Sequence, residues 1–247
     1  MKVFYRRLAI CIIVLSIVYF VSIYSLISYS TRLGESYVTP FVASGIAAIT
    51  SIIALLKDLI IGFLTAPYLR IKIFPYDKRD CHLTQIIDPN TGQFRANAYY
   101  FRLRVYNEGF KTAEDVEVTL EEVVTKEGNI EASYMPLRLL WSHWRNTRYE
   151  LSIPSDTYRH CDFAYILDRK ISDDTPATKD GNFILWFDVF IRPNTGKTYL
   201  LPGEYKIKLS AFGRNAKKAE INIGLLWRGQ WKENIGELLD SSLIIKT

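Results

Sequence analysis

Two long runs of apolar positions dominate the N-terminal quarter of the chain. Residues 8–29 comprise 22 positions without a charged side chain. As one helix, this run exceeds the roughly 30 Å thickness of a bilayer's hydrocarbon core. A second run starts after Pro40, is interrupted by Lys57 and Asp58, and predicts a span over residues 41–64. The pattern predicts a membrane anchor at 1–68, with two transmembrane helices in a lipid bilayer.

Basic residues flank these runs unevenly. Lys2, Arg6 and Arg7 precede the first run, several basic residues follow the second, and the connector at 30–40 contains only Arg32. Lys and Arg favour the cytoplasmic side of a membrane. The sequence therefore predicts a multi-pass protein of the cell membrane, with its N- and C-termini in the cytoplasm.

Small residues recur at every fourth position of the second run, at Ala43, Ala47 and Ser51. Such a row lets another helix approach closely. One interpretation is packing against the first run of the same chain. The other is a homo-oligomer that forms through Ala43, Ala47 and Ser51.

Beyond residue 68 the pattern changes to alternation of apolar and polar positions, which is typical of strands. Strands are predicted at 69–74, 98–106, 116–120, 137–141, 160–166, 183–190, 204–212 and 218–227, and one short C-terminal helix at 232–242. Short strands separated by turn residues favour an all-β antiparallel sandwich, with a barrel as the alternative. Residues 69–247 are thus predicted to form one cytoplasmic β domain.

Two stretches of this domain resemble the strand pairs of immunoglobulin-like, adhesion-type sandwiches. They are FRLRVYNEGFKTAEDVEVTL at 101–120 and LPGEYKIKLSAFGRNAKKAEINI at 201–223. The WRGQW that follows, at 227–231, is similar to a motif of uncharacterised prokaryotic two-pass membrane proteins that carry one such sandwich. The resemblance implies an immunoglobulin-like fold and non-catalytic binding, and it implies no site residues.

The net charge of +5 is unevenly distributed along the chain. Residues 1–69 hold five Lys and Arg against two acidic residues, which leaves 26 basic against 24 acidic residues in 70–247. A dedicated binder of a nucleic acid duplex needs a strongly basic surface. The near-neutral β domain therefore argues against nucleic acid duplexes as partners.

Cysteine and histidine stand next to each other twice, at Cys81-His82 and His160-Cys161, with His143 as a further candidate metal ligand. Neighbouring residues of a strand point to opposite faces, so each pair would supply one ligand. No nucleophile motif, Walker loop or dinucleotide fingerprint is present in the sequence. The sequence predicts no metal, no cofactor and no enzymatic activity.

Aromatic and arginine side chains cluster in one segment that contains Trp141, His143, Trp144, Arg145 and Arg148. Arginine beside an exposed aromatic ring can bind a phosphate or stack on a base. These five residues form the predicted ligand site. The competing interpretation is that Trp141 fills the sandwich core while the arginines are solvated.

Two functions are consistent with these features. The first is a non-enzymatic, membrane-anchored interaction or sensing module that binds an unknown protein partner. The second is a membrane effector of prokaryotic anti-phage defence, whose β domain binds a nucleotide second messenger and whose spans oligomerise to disrupt the membrane.

Overall fold

The computed structural model describes residues 2–30, 61–88, 90–129, 136–142, 150–169, 182–191 and 197–246, save residue 63, with single positions between 45 and 57. The chain divides into two compact units. One comprises Met1–Ala66 with Gly109–Lys111, and the other comprises Pro67–Glu108 with Thr112–Thr247. The second unit holds all the strands that the structure describes.

The first unit contains a helix, α1, at Lys2–Ser30. Within the part of the chain that the structure describes, no helix combines the length and the apolar character that crossing a bilayer requires. The prediction of two transmembrane helices is therefore wrong, and with it the multi-pass membrane localisation. Most of the second predicted span, 41–64, lies outside the described residues.

The second unit is built from thirteen described strands. In chain order they are β1 (Leu69–Lys72), β2 (Cys81–Ile87), β3 (Phe94–Asn107), β4 (Ala113–Thr125), β5 (Leu137–Arg138), β6 (Leu140–Trp141), β7 (Leu151–Ile153), β8 (Thr157–Leu167), β9 (Leu185–Phe187), β10 (Tyr199–Leu200), β11 (Gly203–Gly213), β12 (Ala216–Trp227) and β13 (Leu243–Lys246). A short helix, α2 (Ile235–Glu237), continues as a π-helical turn at Leu238–Ser242.

These strands form two sheets, and every named pair of strands is antiparallel. Among the described strands, sheet 1 has the order β1-β3-β8-β9-β10, with β2 also paired to β3 and β6 paired to β8. Sheet 2 has the order β13-β12-β11-β4-β5, with β7 paired to β4. Each sheet buries one face in a common core, as expected for a sandwich-like arrangement.

Alternating side chains of both sheets supply this core. Phe101, Leu103 and Val105 of β3 belong to the same buried cluster as Ile207 and Leu209 of β11. Trp141 and Trp227 are the largest fully buried side chains. The core is therefore filled by large residues rather than open to a ligand.

The observed strands differ from the predicted ones chiefly where strands are short or weakly alternating. The prediction misses β2, β7, β10 and β13. β2 reads Cys-His-Leu-Thr-Gln-Ile-Ile and lies at an edge of sheet 1, where only one neighbouring strand constrains its sequence. β10 comprises only two residues, which is too few for a periodic signal.

Candidate functional site

The face of sheet 1 that points away from the core carries most of the chemically distinctive side chains. Successive residues of a strand point to opposite faces. With Phe101, Leu103 and Val105 in the core, Tyr100, Arg102, Arg104 and Tyr106 of β3 lie on the other side. We call this surface the outer face of sheet 1.

Five ring side chains cross the outer face in register. Residue pairing between the strands places His82 opposite Tyr100, Tyr100 opposite Tyr165, Tyr165 opposite Trp186, and Trp186 opposite Tyr199. The ring centroids of Tyr100 and Tyr165 are 5.4 Å apart, and those of Trp186 and Tyr199 are 5.2 Å apart. We call these five residues the aromatic row. Directly opposed residues share a face, so the row follows from strand register.

Arg104 is the centre of an ion-pair network beside the row. Its Nε donates to Oδ1 of Asp80 at 2.7 Å, and one of its terminal nitrogens donates to Asp77. The guanidinium lies over the rings of Phe74 and Tyr158, 4.9 and 5.3 Å from their centroids. Burial opposes the charge on Arg104, but its hydrogen bonds to Asp77 and Asp80 outweigh burial and raise the pKa of this guanidinium. Arg104 is therefore held rigidly in the charged form.

Asp80 is the most deeply buried member of this network, with its side chain 0% exposed. Its Oδ1 accepts the hydrogen bond from Arg104 and also lies 3.0 Å from Nε2 of His160. Its Oδ2 has no hydrogen-bond partner among the described residues. Because a carboxylate only accepts, Nε2 of His160 carries the proton in this contact. Burial lowers the pKa of His160 despite the carboxylate, which keeps the imidazole neutral at physiological pH.

A second buried ion pair lies between the network and the row. Nε of Arg102 donates to Oδ1 of Asp162 at 2.9 Å, and the Ser142 hydroxyl donates to the same oxygen at 2.6 Å. The side chains of Arg102 and Asp162 are 14% and 4% exposed. At that burial the pair is screened little by salt, so it stays closed under ordinary conditions.

Two cations of β1 are paired as well. Nζ of Lys72 lies 3.5 Å from a carboxylate oxygen of Glu108, and a guanidinium nitrogen of Arg70 lies 3.6 Å from the same oxygen. Lys72 also lies 4.6 Å from the centroid of the Tyr106 ring. The outer face therefore bears charges whose partners lie on the same face.

A cleft of about 540 Å³ opens beside the first half of β8. The residues that line it are Ser142, Leu151, Asp156, Thr157, Tyr158, Arg159 and His160. Asp156 adopts a left-handed backbone conformation, with φ of 53°, in the turn between β7 and β8. The described lining combines the carboxylate of Asp156 and the guanidinium of Arg159 with apolar surface, as clefts that bind small molecules commonly do.

The structure describes one of the five residues of the predicted ligand site. Trp141 is fully buried in the core, as the competing interpretation expected. His143, Trp144, Arg145 and Arg148 lie outside the described residues, so their grouping stays a prediction. Ser142, which lines the cleft, directly precedes them in the chain.

The small-residue row is described only in part. Ala43 lies outside the described residues, and the Ser51 hydroxyl donates to the backbone oxygen of Ala47 at 2.8 Å. That contact belongs to one helical turn and involves no second copy. Self-association through this row stays a prediction.

The cysteine and histidine pairs do not converge on a metal site. Cys81 and Cys161 are free, buried thiols, and burial raises the pKa of both. No group of three or more metal-ligating side chains occurs among the residues that the structure describes. Protonated thiols of this kind are poor nucleophiles and poor ligands.

Sequence reasoning missed the aromatic row and the Asp80 network. The alternation of residues 98–106 does place Tyr100 on the same face as Arg102 and Arg104, so this one member of the row could have been predicted. The other ring positions become neighbours only through strand pairing. Searches of protein-family models and of curated proteins find no match for this chain.

Proposed function

We propose that the β domain is a non-enzymatic interaction module whose binding surface is the outer face of sheet 1. The aromatic row is the observation that carries this proposal. Tyrosine and tryptophan are the residues that most often dominate binding energy at protein interfaces, because they combine a large apolar ring with a polar tip. A sheet holds such rings rigidly, so little conformational entropy is lost on binding.

The buried network beside the row supports a rigid surface. Arg104 is fixed by two carboxylates and two rings, and Arg102 is fixed by Asp162. These contacts anchor β3 and β8, the two strands that carry the middle of the row. A preorganised scaffold of this kind favours recognition over the movements that catalysis often requires.

The state of the described thiols favours binding over nucleophilic catalysis. Both Cys81 and Cys161 are buried, and their raised pKa values keep them protonated. His160 points one nitrogen at Asp80, an arrangement that orients a base, but no described cysteine approaches it as a nucleophile. A serine, Ser142, shares the cleft with His160 and gives its own proton to Asp162.

A second candidate function is the binding of a nucleotide in the cleft. The cleft brings the exposed Arg159 and the ring of Tyr158 together with the neutral His160. Arginine beside an aromatic ring is the combination that stacks a base and pairs with a phosphate. The carboxylate of Asp156 in the same lining opposes an anionic ligand, and for that reason we place the row first.

An array experiment tests the proposed function. The full-length chain is applied to immobilised peptides, neutral oligosaccharides, nucleotides and single-stranded oligonucleotides. We expect at least one class to bind, Trp186→Ala and Tyr165→Ala to weaken that binding by about tenfold or more, and Tyr76→Ala to leave it unchanged. Tyr76 is a suitable control because it is 69% exposed, is not a member of the row, and donates its hydroxyl proton to Asp240.

Two results would decide against this surface. If Trp186→Ala and Tyr165→Ala both keep full binding, the binding site lies elsewhere on the protein. If only Arg159→Ala loses binding, the site is the cleft, and the ligand is a nucleotide. An array on which no class binds would refute the proposal altogether.

A further inference from the structure

Strand β2 forms one edge of sheet 1. It pairs with β3 along its whole length, from Cys81 opposite Phe101 to Ile87 opposite Phe94, and no described strand pairs with its other side. An edge strand has backbone N–H and C=O groups that point away from its sheet and can pair with a further strand. The outward edge of β2 is therefore a surface to which another strand can be added.

The sequence of β2 lacks the features that usually prevent such pairing. Edge strands are commonly protected by charged side chains, by proline or by being very short. β2 comprises seven residues, Cys-His-Leu-Thr-Gln-Ile-Ile, and contains no Lys, Arg, Asp, Glu or Pro. The other described strands of four or more residues that have a single partner strand are β1 and β13, and they carry Arg70, Lys72 and Lys246. Among these described edges, β2 is the one without a charged side chain.

Apolar side chains are exposed along this edge. Leu83 is 47% exposed and Ile87 is 53% exposed, and Phe94, which pairs with Ile87, is 46% exposed. Gln85, midway between Leu83 and Ile87, is exposed as well. Side chains alternate along a strand, so Leu83, Gln85 and Ile87 lie on one face. Covering the two apolar side chains would add to the backbone hydrogen bonds that an added strand makes.

The order of these residues fits a second copy of the same strand. A two-fold axis through Gln85 relates two antiparallel copies of β2 so that Gln85 opposes Gln85, and Leu83 of each copy opposes Ile87 of the other. Directly opposed residues share a face. The four exposed apolar side chains therefore form two cross-strand pairs, one on each side of the axis.

The polar groups are compatible with this register. The glutamine amides at the axis each contain a donor and an acceptor, so they can bond to each other. Asp88, which follows β2, falls opposite His82 of the second copy, so no two like charges are opposed. Pairing from Leu83 to Ile87 adds about four to six backbone hydrogen bonds, because every second pair of an antiparallel ladder exchanges two.

On these grounds we propose that β2 pairs with β2 of a second copy of this chain, in antiparallel register about Gln85, to form a symmetric dimer. The strand is self-complementary in this register, as a two-fold interface requires. The dimer joins sheet 1 of both copies into one continuous sheet. It uses the edge of sheet 1, so it is separate from the binding proposed for the outer face and from the small-residue row at Ala43, Ala47 and Ser51.

Cysteine cross-linking of the full-length chain tests the register. Side chains on the axis oppose their own copies, with Cβ atoms about 4.5–5.5 Å apart, so Gln85→Cys is expected to give a covalent dimer with a short bismaleimide. Cys81 and Cys161 are buried, and Cys11 is replaced by serine so that it cannot react. Thr91→Cys is the matched control, because Thr91 is exposed in the turn beyond β2. It is expected to give at least about tenfold less dimer, since it lies away from the axis.

Lysine substitutions test the apolar contacts. Leu83→Lys and Ile87→Lys are each expected to weaken dimerisation by about tenfold or more in sedimentation velocity and to suppress the Gln85→Cys cross-link, because each charges the edge. Ile191→Lys is the control, since Ile191 is 70% exposed and lies outside β2, and it is expected to leave both unchanged. Circular dichroism checks that each variant is folded.

A charge-pair variant tests the register independently of any loss of function. Combining Leu83→Lys with Ile87→Glu in one chain opposes a lysine to a glutamate on both sides of the axis. This double variant is expected to recover part of the dimerisation that Leu83→Lys loses. Recovery requires that positions 83 and 87 oppose each other, so a merely structural effect of Leu83→Lys would not produce it.

Three results would overturn the inference. The first is a full-length chain that stays monomeric at high concentration and gives no more cross-link from Gln85→Cys than from Thr91→Cys. That result would leave the edge to a strand of a different protein. The second is a dimer that persists unchanged in folded Leu83→Lys and Ile87→Lys, which would place self-association elsewhere on the chain. The third is a double variant that dimerises no better than Leu83→Lys.

Discussion

Replacing Asp80 with alanine is expected to lower the free energy of unfolding by about 3–5 kcal/mol. The substitution leaves Arg104 buried and charged without its hydrogen bond to Asp80, and it removes the acceptor of His160. Losing one partner of a buried ion pair costs far more than losing the pair. Urea unfolding followed by far-UV circular dichroism measures the change.

A matched control uses an exposed ion pair. Glu114 is paired with Arg214, and their side chains are 43% and 69% exposed. Glu114→Ala is expected to change the free energy of unfolding by about 1 kcal/mol or less, since solvent screens exposed pairs. Adding Arg104→Leu to Asp80→Ala should restore part of the lost stability. Equal effects of Asp80→Ala and Glu114→Ala would show that the network is not the buried anchor described here.

The second large effect is expected at Trp141. This side chain is fully buried and packs in the common core of the two sheets. Trp141→Ala leaves a cavity there and is expected to cost about 3–5 kcal/mol of unfolding free energy. The same urea experiment measures this loss. If the slope of the unfolding free energy against urea concentration is unchanged, the substitution has altered only the stability.

Trp186→Ala is the matched control, because Trp186 lies half-buried on the outer face. Its expected cost is about 1 kcal/mol, near the average for single substitutions. The two variants thus separate stability from binding. Trp141→Ala is expected to lose stability, and Trp186→Ala is expected to lose affinity for the ligand. A Trp141→Ala protein as stable as Trp186→Ala would contradict the placement of Trp141 in the core.

Alternation in the sequence predicts the faces of the long strands well. It assigns Tyr99, Phe101, Leu103 and Val105 to one face and Arg102 and Arg104 to the other, and the structure buries the first set in the core. Long strands repeat the pattern often enough for the period to be read. Two-residue strands such as β10 do not, and Tyr199 was accordingly missed.

The candidate site could not be predicted in the same way, because it depends on register. His82, Tyr100, Tyr165, Trp186 and Tyr199 come from five strands spread along the chain, and only pairing aligns them. Asp80 likewise reaches Arg104 and His160 across 24 and 80 positions of sequence. Local pattern contains no information about contacts at that separation.

The prediction of a membrane anchor is also contradicted. It interpreted the uncharged stretch at residues 8–29 and the apolar stretch after Pro40 as transmembrane spans from their length and apolar character. The described helices do not meet the combined requirement of length and apolar character.

The most direct test of the binding surface is nuclear magnetic resonance of the indole N–H groups. The chain contains five tryptophans, so ¹⁵N labelling gives a small set of signals, and the Trp186→Phe spectrum assigns the one that matters. On addition of a ligand that the full-length chain binds in the array, we predict that the Trp186 signal shifts while those of the buried Trp141 and Trp227 stay in place. A saturating titration that leaves Trp186 unmoved and shifts Trp141 or Trp227 would contradict the assignment of binding to the outer face.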